Sequence, residues 1–221
     1  MAKTNHKFIE NLAPGQKKFE LTAETKEVDG HILHRIRAVV DIKSLYYPIR
    51  IKKGTLGGWV EKESNLSQSG ACWVFHEGMV FGEAIVSMAG SVGGKARVYG
   101  DARVYDKAMI MDQSEIYGGA TICGNSIILG EVKVYEYASV VSAIISGHAK
   151  IYGNARVTGD AEVGDNACVY EDAVIGGRVR ISDKARIRGY THIECYDSPD
   201  NCTIWIAGDT EIEGSARITA Q

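Results

Sequence analysis

The sequence has little proline, no long apolar run and no strong charge of either sign. Only 3 of its 221 residues are proline, against 25 glycines, so its tight turns must rely on glycine. No apolar run approaches the ~20 residues that span a bilayer, and the first twenty residues lack the apolar centre of a secretory signal. A formal charge of -3 gives no reason to expect an anionic membrane or nucleic acid as a partner. We therefore expect a cytoplasmic protein without membrane or nucleic-acid partners.

Motifs for metal and phosphate chemistry are also missing. The 5 cysteines are scattered and show no paired C-x-x-C spacing, so no zinc site is expected. No glycine-rich phosphate loop leads from a strand into a helix, and no Ser-His-Asp arrangement is evident. The sequence therefore predicts neither a metal nor a resident cofactor.

The dominant feature that is present is a six-residue repeat. A small residue, a variable residue and then valine or isoleucine recur along most of the chain. The first run of the branched positions comprises Val74, Val80, Val86, Val92, Val98, Val104, Ile110, Ile116, Ile122, Ile128, Val134 and Val140. One five-residue repeat falls around Val141 to Ser142, and the second run comprises Ile145, Ile151, Val157, Val163, Val169, Ile175, Ile181, Ile187 and Ile193.

Each repeat is interpreted as one short strand followed by one corner. Small and branched residues alternate with polar ones, which is typical of a strand, and Gly with Asn or Asp supplies the turn. Three repeats would close a triangular coil of 18 residues, and successive coils would stack in parallel about 4.8 Å apart. The sequence therefore predicts an all-β triangular prism of about seven to eight coils, stabilised by stacking and capped at its ends.

This small-x-aliphatic pattern resembles the hexapeptide-repeat family of single-stranded, left-handed parallel β-helices, and the handedness is implied only by that resemblance. The entry segment resembles YdcK-like proteins, a poorly characterised branch found in bacteria and often in phages and prophages. The residues that carry this second resemblance are His34 to Ala38, Leu56 to Glu61, Asn65 to Ser67 and Cys72 to Val74.

We expect three segments along the chain. Residues 1–56 would form a small N-terminal β cap with a hairpin turn near Asp29-Gly30, and Trp59 and Trp73 would roof the first coil. Residues 57–194 would form the β-helix. Residues 195–221 would contain a polar loop and a closing coil.

Counting one coil at a time sorts the outward residues into three faces. The middle row of the first face begins at Arg97 and that of the second face at Arg103, and both rows are mainly charged or polar. The corner after the first face carries an aromatic ladder for which stacking is favoured over ligand binding. The ladder comprises Phe81, Tyr99, Tyr117, Tyr135, Tyr152 and Tyr170.

The third face differs because apolar residues occupy outward positions in its middle coils. The middle row is Trp73, Ser91, Met109, Ile127, Ile144, Glu162 and Arg180. We call the residues Met109, Met111, Ile127, Leu129 and Ile144 the apolar patch. A contiguous patch of this kind usually marks an association surface, so we expect a homo-oligomer, dimer or trimer. A cap or C-terminal tail folded over this face is the alternative.

Three functions stay open at this point. The first is a non-catalytic β-helix scaffold that binds a host or viral protein; its phage or prophage origin is implied only by the YdcK-like resemblance. The second is an acyltransferase, because the best-known hexapeptide-repeat proteins use acyl-CoA bound between subunits and a histidine as general base. His148 is the best residue for that role, although the repeat carries no long loop to build a pocket around it. The third is sequestration of a small ligand at a subunit junction.

Overall fold

The computed structural model describes residues 16–43, 50–196 and 203–219. Its strands form three long sheets and one small antiparallel pair, β3 (Ile42–Lys43) and β4 (Arg50–Ile51). A single turn of 3-10 helix, Glu63–Asn65, precedes the repeats, and no α-helix occurs in the described ranges. The fold is thus an all-β parallel solenoid of about eight turns.

The first face belongs to an 11-stranded sheet and the other two faces to sheets of eight strands each. The first sheet contains β1 (Phe19–Val28), β2 (His31–Ala38), β5 (Leu56–Val60), β7 (Met79–Val80), β10 (Arg97–Val98), β13 (Glu115–Ile116), β16 (Lys133–Val134), β19 (Lys150–Ile151), β22 (Cys168–Val169), β25 (Arg186–Ile187) and β28 (Glu211–Ile212).

The strands of the second and third faces alternate with these along the chain. The second sheet contains β8 (Ile85–Val86), β11 (Arg103–Val104), β14 (Thr121–Cys123), β17 (Ser139–Val141), β20 (Arg156–Thr158), β23 (Val174–Gly177), β26 (His192–Cys195) and β29 (Arg217–Thr219). The third sheet contains β6 (Trp73–Val74), β9 (Ser91–Val92), β12 (Met109–Ile110), β15 (Ile127–Ile128), β18 (Ile144–Ile145), β21 (Glu162–Val163), β24 (Val179–Ile181) and β27 (Ile204–Ile206).

The predicted register is confirmed strand by strand. Arg97 pairs with Glu115 in the next coil, eighteen residues on, while Lys133 pairs with Lys150 across the short repeat, seventeen residues on. The short repeat ends in Ser142, whose φ of 56° places it in the left-handed region. One shortened corner therefore absorbs the change in phase without moving any inward residue out of the core.

The core runs along the prism axis as ladders of branched and small side chains. Val98, Ile116, Val134 and Ile151 are fully buried on the first face, and the alanines two positions before such residues are equally buried. Each fully buried Val or Ile contributes about 1.5–3 kcal/mol of transfer free energy. Because every coil repeats this burial, stability accumulates by stacking.

The N-terminal cap continues the first sheet beyond the prism. β1 and β2 form an antiparallel hairpin turning at Asp29-Gly30, β2 pairs antiparallel with β5, and β5 pairs in parallel with β7. Phe19 and Ile36 project from the hairpin into the core cluster of the prism. The cap thus protects the edge of the first coil. One continuous sheet joins cap and prism, so the exact segment boundaries at residues 56/57 and 194/195 stay predictions.

The two tryptophans do not roof the first coil as the sequence suggested. Trp59 pairs with Met79 at an outward position of the first face, while its neighbour Val60 points inward. Trp73 occupies the outward position of the third face, paired with Ser91. Both are nevertheless buried, at 5% and 1% exposure, because cap residues pack over them from outside: the Phe19 ring lies 6.4 Å from Trp73.

Candidate functional site

The apolar patch lies in the middle of the third face. Met109 pairs with Ile127, and Ile127 pairs with Ile144, so these three side chains occupy the same row on adjacent coils. Met109 and Ile127 are half-buried and Ile144 is 40% exposed. Their inward neighbours, such as Ile128, are fully buried, so the patch is an outer layer on a core that is already complete.

Glycine at one corner lets the patch spread sideways. Met111 and Leu129 are half-buried on the corner beside the row. Gly93 is the equivalent corner residue of the previous coil, and a Cβ placed on it would lie 2.9 Å from Met111 Sδ. The Met111 side chain therefore occupies space that a side chain at position 93 would fill. The patch therefore extends from the strand row onto the corner.

The two ends of the third face differ from its middle. At the N-terminal end the cap covers Trp73, as described above. At the C-terminal end Glu162 Oε1 accepts a hydrogen bond from Arg180 Nη2 at 3.0 Å, and the Arg180 guanidinium lies 4.8 Å from the Trp205 ring. The apolar patch is thus bounded by a covered aromatic region on one side and a polar region on the other.

His148 lies on the corner that follows the third face, next to the patch. It borders an open cleft of about 580 Å³, whose lining comprises Gly94, Lys95, Asp112, Gln113, Gly130, Glu131, Gly147 and His148. The cleft floor is the column of left-handed corner residues, and a Cβ on Gly130 would lie 2.6 Å from Gly147 O, so glycine lets adjacent corners stack closely there. His148 Nδ1 is 3.4 Å from Glu131 Oε2, and both side chains are more than half exposed.

A histidine held by a carboxylate is an arrangement that general bases use. The sequence analysis named His148 but did not name Glu131, although the seventeen residues between them equal one coil across the short repeat. The cleft is open to solvent, which screens this pair strongly. Its geometry is that of an open groove and not of a closed chamber.

Two other described histidines, His31 and His34, have structural surroundings. His31 Nδ1 lies 2.9 Å from Glu61 Oε1, and its ring packs 5.1 Å from Phe81. This hydrogen bond is the main reason why the pKa of Glu61 is lowered. His34 Nδ1 lies 3.3 Å from the Thr22 carbonyl oxygen within the cap hairpin. The His31 contacts connect the cap to the first coil, whereas the His34 contact holds the cap hairpin together.

The aromatic ladder forms a continuous stack along its corner. Successive ring centroids from Phe81 to Tyr170 lie 4.8–5.0 Å apart with interplanar angles of 7° or less. The Arg97 guanidinium lies 5.2 Å from the Tyr99 ring. Burial raises the pKa of Tyr99 and Tyr135 to about 12. Rings whose faces are occupied by each other offer no free face to a ligand, so the ladder stabilises the coil stack.

Two features are absent from residues 16–43, 50–196 and 203–219. Within these ranges no three His, Cys, Asp or Glu side chains come together in a way that could hold a metal ion. No helix in these ranges has the length and apolar character to cross a bilayer.

A family model described as YdcK Beta solenoid repeat matches residues 96–110 and 149–165. Both segments lie within the prism, and each contains a tyrosine of the ladder. No match was found among curated proteins. The family match and the parallel β-solenoid seen in the structure together make this chain similar to YdcK-like β-solenoid proteins.

Proposed function

We propose that this protein is a non-catalytic β-helix scaffold that acts by binding protein through the apolar patch of its third face. The observation that carries the proposal is the run of outward Met109, Ile127 and Ile144 on adjacent coils. The same row on the first face is Arg97, Glu115 and Lys133, which form ion pairs with one another. Only the third face thus presents a contiguous apolar surface in the middle coils.

The dimensions of the patch suit a protein partner. Three coils at about 4.8 Å spacing, together with the adjoining corner, give a surface of roughly a few hundred Å², comparable with the largest apolar patch of a typical monomer, which is often functional. The strands beneath it are rigid, so little ordering free energy is lost on binding. A second copy in a dimer or trimer is the first occupant to test, and a host or viral protein is the second.

The experiment is a change of the patch to opposite charges, Met109→Glu with Ile127→Lys. Both positions point outward, so the fold should persist, while association through the patch should be lost and light scattering should give a smaller mass than for the parent chain. The matched control is Arg103→Glu with Thr121→Lys, which changes the same coils on the second face. An unchanged mass with the patch variant would show that the patch does not mediate self-association, and capture of host proteins by the two variants would then be compared.

Acyl transfer is the second candidate function, and the cleft beside His148 is the observation that favours it. His148 would act as general base and Glu131 would orient it, with acyl-CoA supplied as substrate between two subunits. Acetyl-CoA at millimolar concentration should then raise the thermal unfolding temperature, and His148→Ala should abolish any transfer of the acetyl group. No thermal shift and no transfer would leave the scaffold function alone. A shift that persists without transfer would support sequestration of a small ligand.

A further inference from the structure

The C-terminal end of the prism is open in the described structure. Inward residues of the preceding coil, Ile187 and Ile193, are fully buried. The equivalent residues of the last coil lose that protection: Ile206 is 7% exposed, Ile212 is half-buried and Ile218 is 36% exposed. An apolar triangle therefore faces outward along the axis, in contrast to the N-terminal end, where Phe19 and Trp73 are buried.

The backbone of the last coil also has unused hydrogen-bonding groups. In each inner coil, outward residues donate their N–H groups to the following coil; Arg186 N donates to Thr210 O and His192 N to Ala216 O. Glu211 and Arg217 hold the equivalent positions in the last coil, and no described coil follows to accept from them. β27, β28 and β29 are the terminal strands of their three sheets, which makes each a free edge for strand addition.

We propose that a second copy of this chain covers this end, tail to tail, about a two-fold axis perpendicular to the prism. The end of the second copy has the same cross-section as the end that it covers. Each end presents three strand edges around an apolar triangle of the same size. The N-terminal end cannot serve, because the cap closes it. An isologous contact of this kind closes on itself and yields a dimer, not a filament.

Charge decides which face the two-fold axis passes through. Arg188 pairs with both Glu211 and Glu213, so this cluster keeps one excess negative charge. Arg217 forms no ion pair with a described carboxylate. If β27 pairs antiparallel with the partner's β27, then β28 pairs with the partner's β29, and Glu211 lies opposite the partner's Arg217. The other two axes would place Glu211 opposite Glu211 or Arg217 opposite Arg217, and like charges in opposite positions destabilise strand pairs.

The same arrangement gives a role to Trp205. It is the outward residue of β27, and its side chain is 66% exposed. With the axis through β27, Trp205 would lie beside the partner's Trp205, and aromatic pairs across antiparallel strands are favourable. The contact uses the end of the prism, so it is independent of the apolar patch in the middle of the third face.

The test is a charge exchange followed by sedimentation equilibrium or light scattering over a range of concentrations. The wild-type chain should dimerise. Glu211→Arg and Arg217→Glu should each raise the dimer dissociation constant by about tenfold or more, and the double exchange should restore most of the loss. Lys150→Glu is the control, because it reverses an exposed charge on the first face in the middle of the prism.

Trp205 provides a second readout. Trp59 and Trp73 are buried, so acrylamide quenching reports mainly on Trp205 and should decrease as the concentration rises. A wild-type chain that stays monomeric, or single exchanges that leave the dimer intact, would overturn the proposal. A mass that responds to Met109→Glu with Ile127→Lys but not to Glu211→Arg would also overturn it, while supporting the apolar patch as the self-association surface.

Discussion

The two ends of the prism carry the same repeat and are finished in opposite ways. At the N-terminal end β5 pairs with β2 of the cap, and the inward Val60 and Val74 are fully buried. At the C-terminal end β28 is the last strand of its sheet, and Ile218 is 36% exposed. A coil inside the stack has two neighbours, whereas a terminal coil has one. The comparison shows that the repeat supplies the stack and that a non-repeating segment supplies the closure.

Closure at the N-terminal end includes a buried amine as well as apolar side chains. Lys18 is fully buried, and its Nζ donates hydrogen bonds to the Cys72 carbonyl oxygen at 2.9 Å and to the Gly70 carbonyl oxygen at 3.3 Å. Burial lowers the pKa of Lys18 because desolvation disfavours the charged ammonium. These carbonyl groups lie at the edge of the first coil. Lys18 therefore donates to them the hydrogen bonds that a preceding coil would have donated.

The largest expected effect comes from opening the closed end. Phe19→Ala removes a fully buried ring and should lower the free energy of unfolding by about 3–5 kcal/mol. Thermal denaturation followed by circular dichroism measures the change, and limited proteolysis shows whether the cap detaches first. The control is Ile32→Ala on the same hairpin, where the side chain is 59% exposed and the cost should be about 0.5 kcal/mol or less. Equal effects of the two variants would contradict a closing role for Phe19.

A smaller effect should distinguish an inner ring of the aromatic ladder from its last ring. Tyr99 stacks on a ring to each side and packs against Arg97, whereas Tyr170 stacks on Tyr152 alone in the described ladder. Tyr99→Ala should therefore destabilise the protein by about 1 kcal/mol more than Tyr170→Ala. Urea denaturation of both variants measures the difference. If Tyr170→Ala cost as much as Tyr99→Ala, stacking would not be the main contribution of these rings.

The smallest expected effect is a decrease in the free energy of unfolding at alkaline pH, which originates near the closed end. Burial raises the pKa of Tyr99 to about 12 in the folded protein, above its ordinary value of about 10. The unfolded chain then loses this proton first, so the stabilisation is complete below about pH 10 and is lost as pH rises toward about 12.

Tyr99→Phe should remove part of this loss of stability at alkaline pH. Thermal unfolding at several pH values between about 9 and about 12 measures it, because stability is lost between the two pKa values of about 10 and about 12. Tyr137→Phe is the control, because its ring is 76% exposed and should leave the slope unchanged. Identical slopes for both variants and the parent would show that the ladder tyrosines do not govern the alkaline limit.

The fold could be predicted in detail because the repeat is locally redundant. The small-x-aliphatic spacing specified the inward ladders, the sheet register, the short repeat before Ser142 and the six rings of one corner. Parallel coils in register place equivalent residues directly above one another. Residues that are one coil apart in the sequence are therefore neighbours in space. The apolar patch emerged from the same counting.

The packing of the cap and the side-chain contacts outside the core could not be predicted from the six-residue repeat. Sequence reasoning placed Trp59 and Trp73 over the first coil, but the structure puts them on outer faces beneath the cap. It named His148 without its neighbour Glu131. It did not indicate that Lys18 would be buried or that Arg180 would lie against Trp205.

The sequence by itself determined the prism, its three faces and the position of its core, because each six-residue repeat has one strand geometry and one neighbour above and below. Only the tertiary structure decided which outward residues are covered, which end is closed and where an open cleft forms. The covered residues and the closed end depend on segments that do not repeat and that fold back over the prism, whereas the cleft depends on how corner side chains of adjacent coils pack. Their contacts follow from side-chain packing in three dimensions, which no periodicity in the sequence encodes.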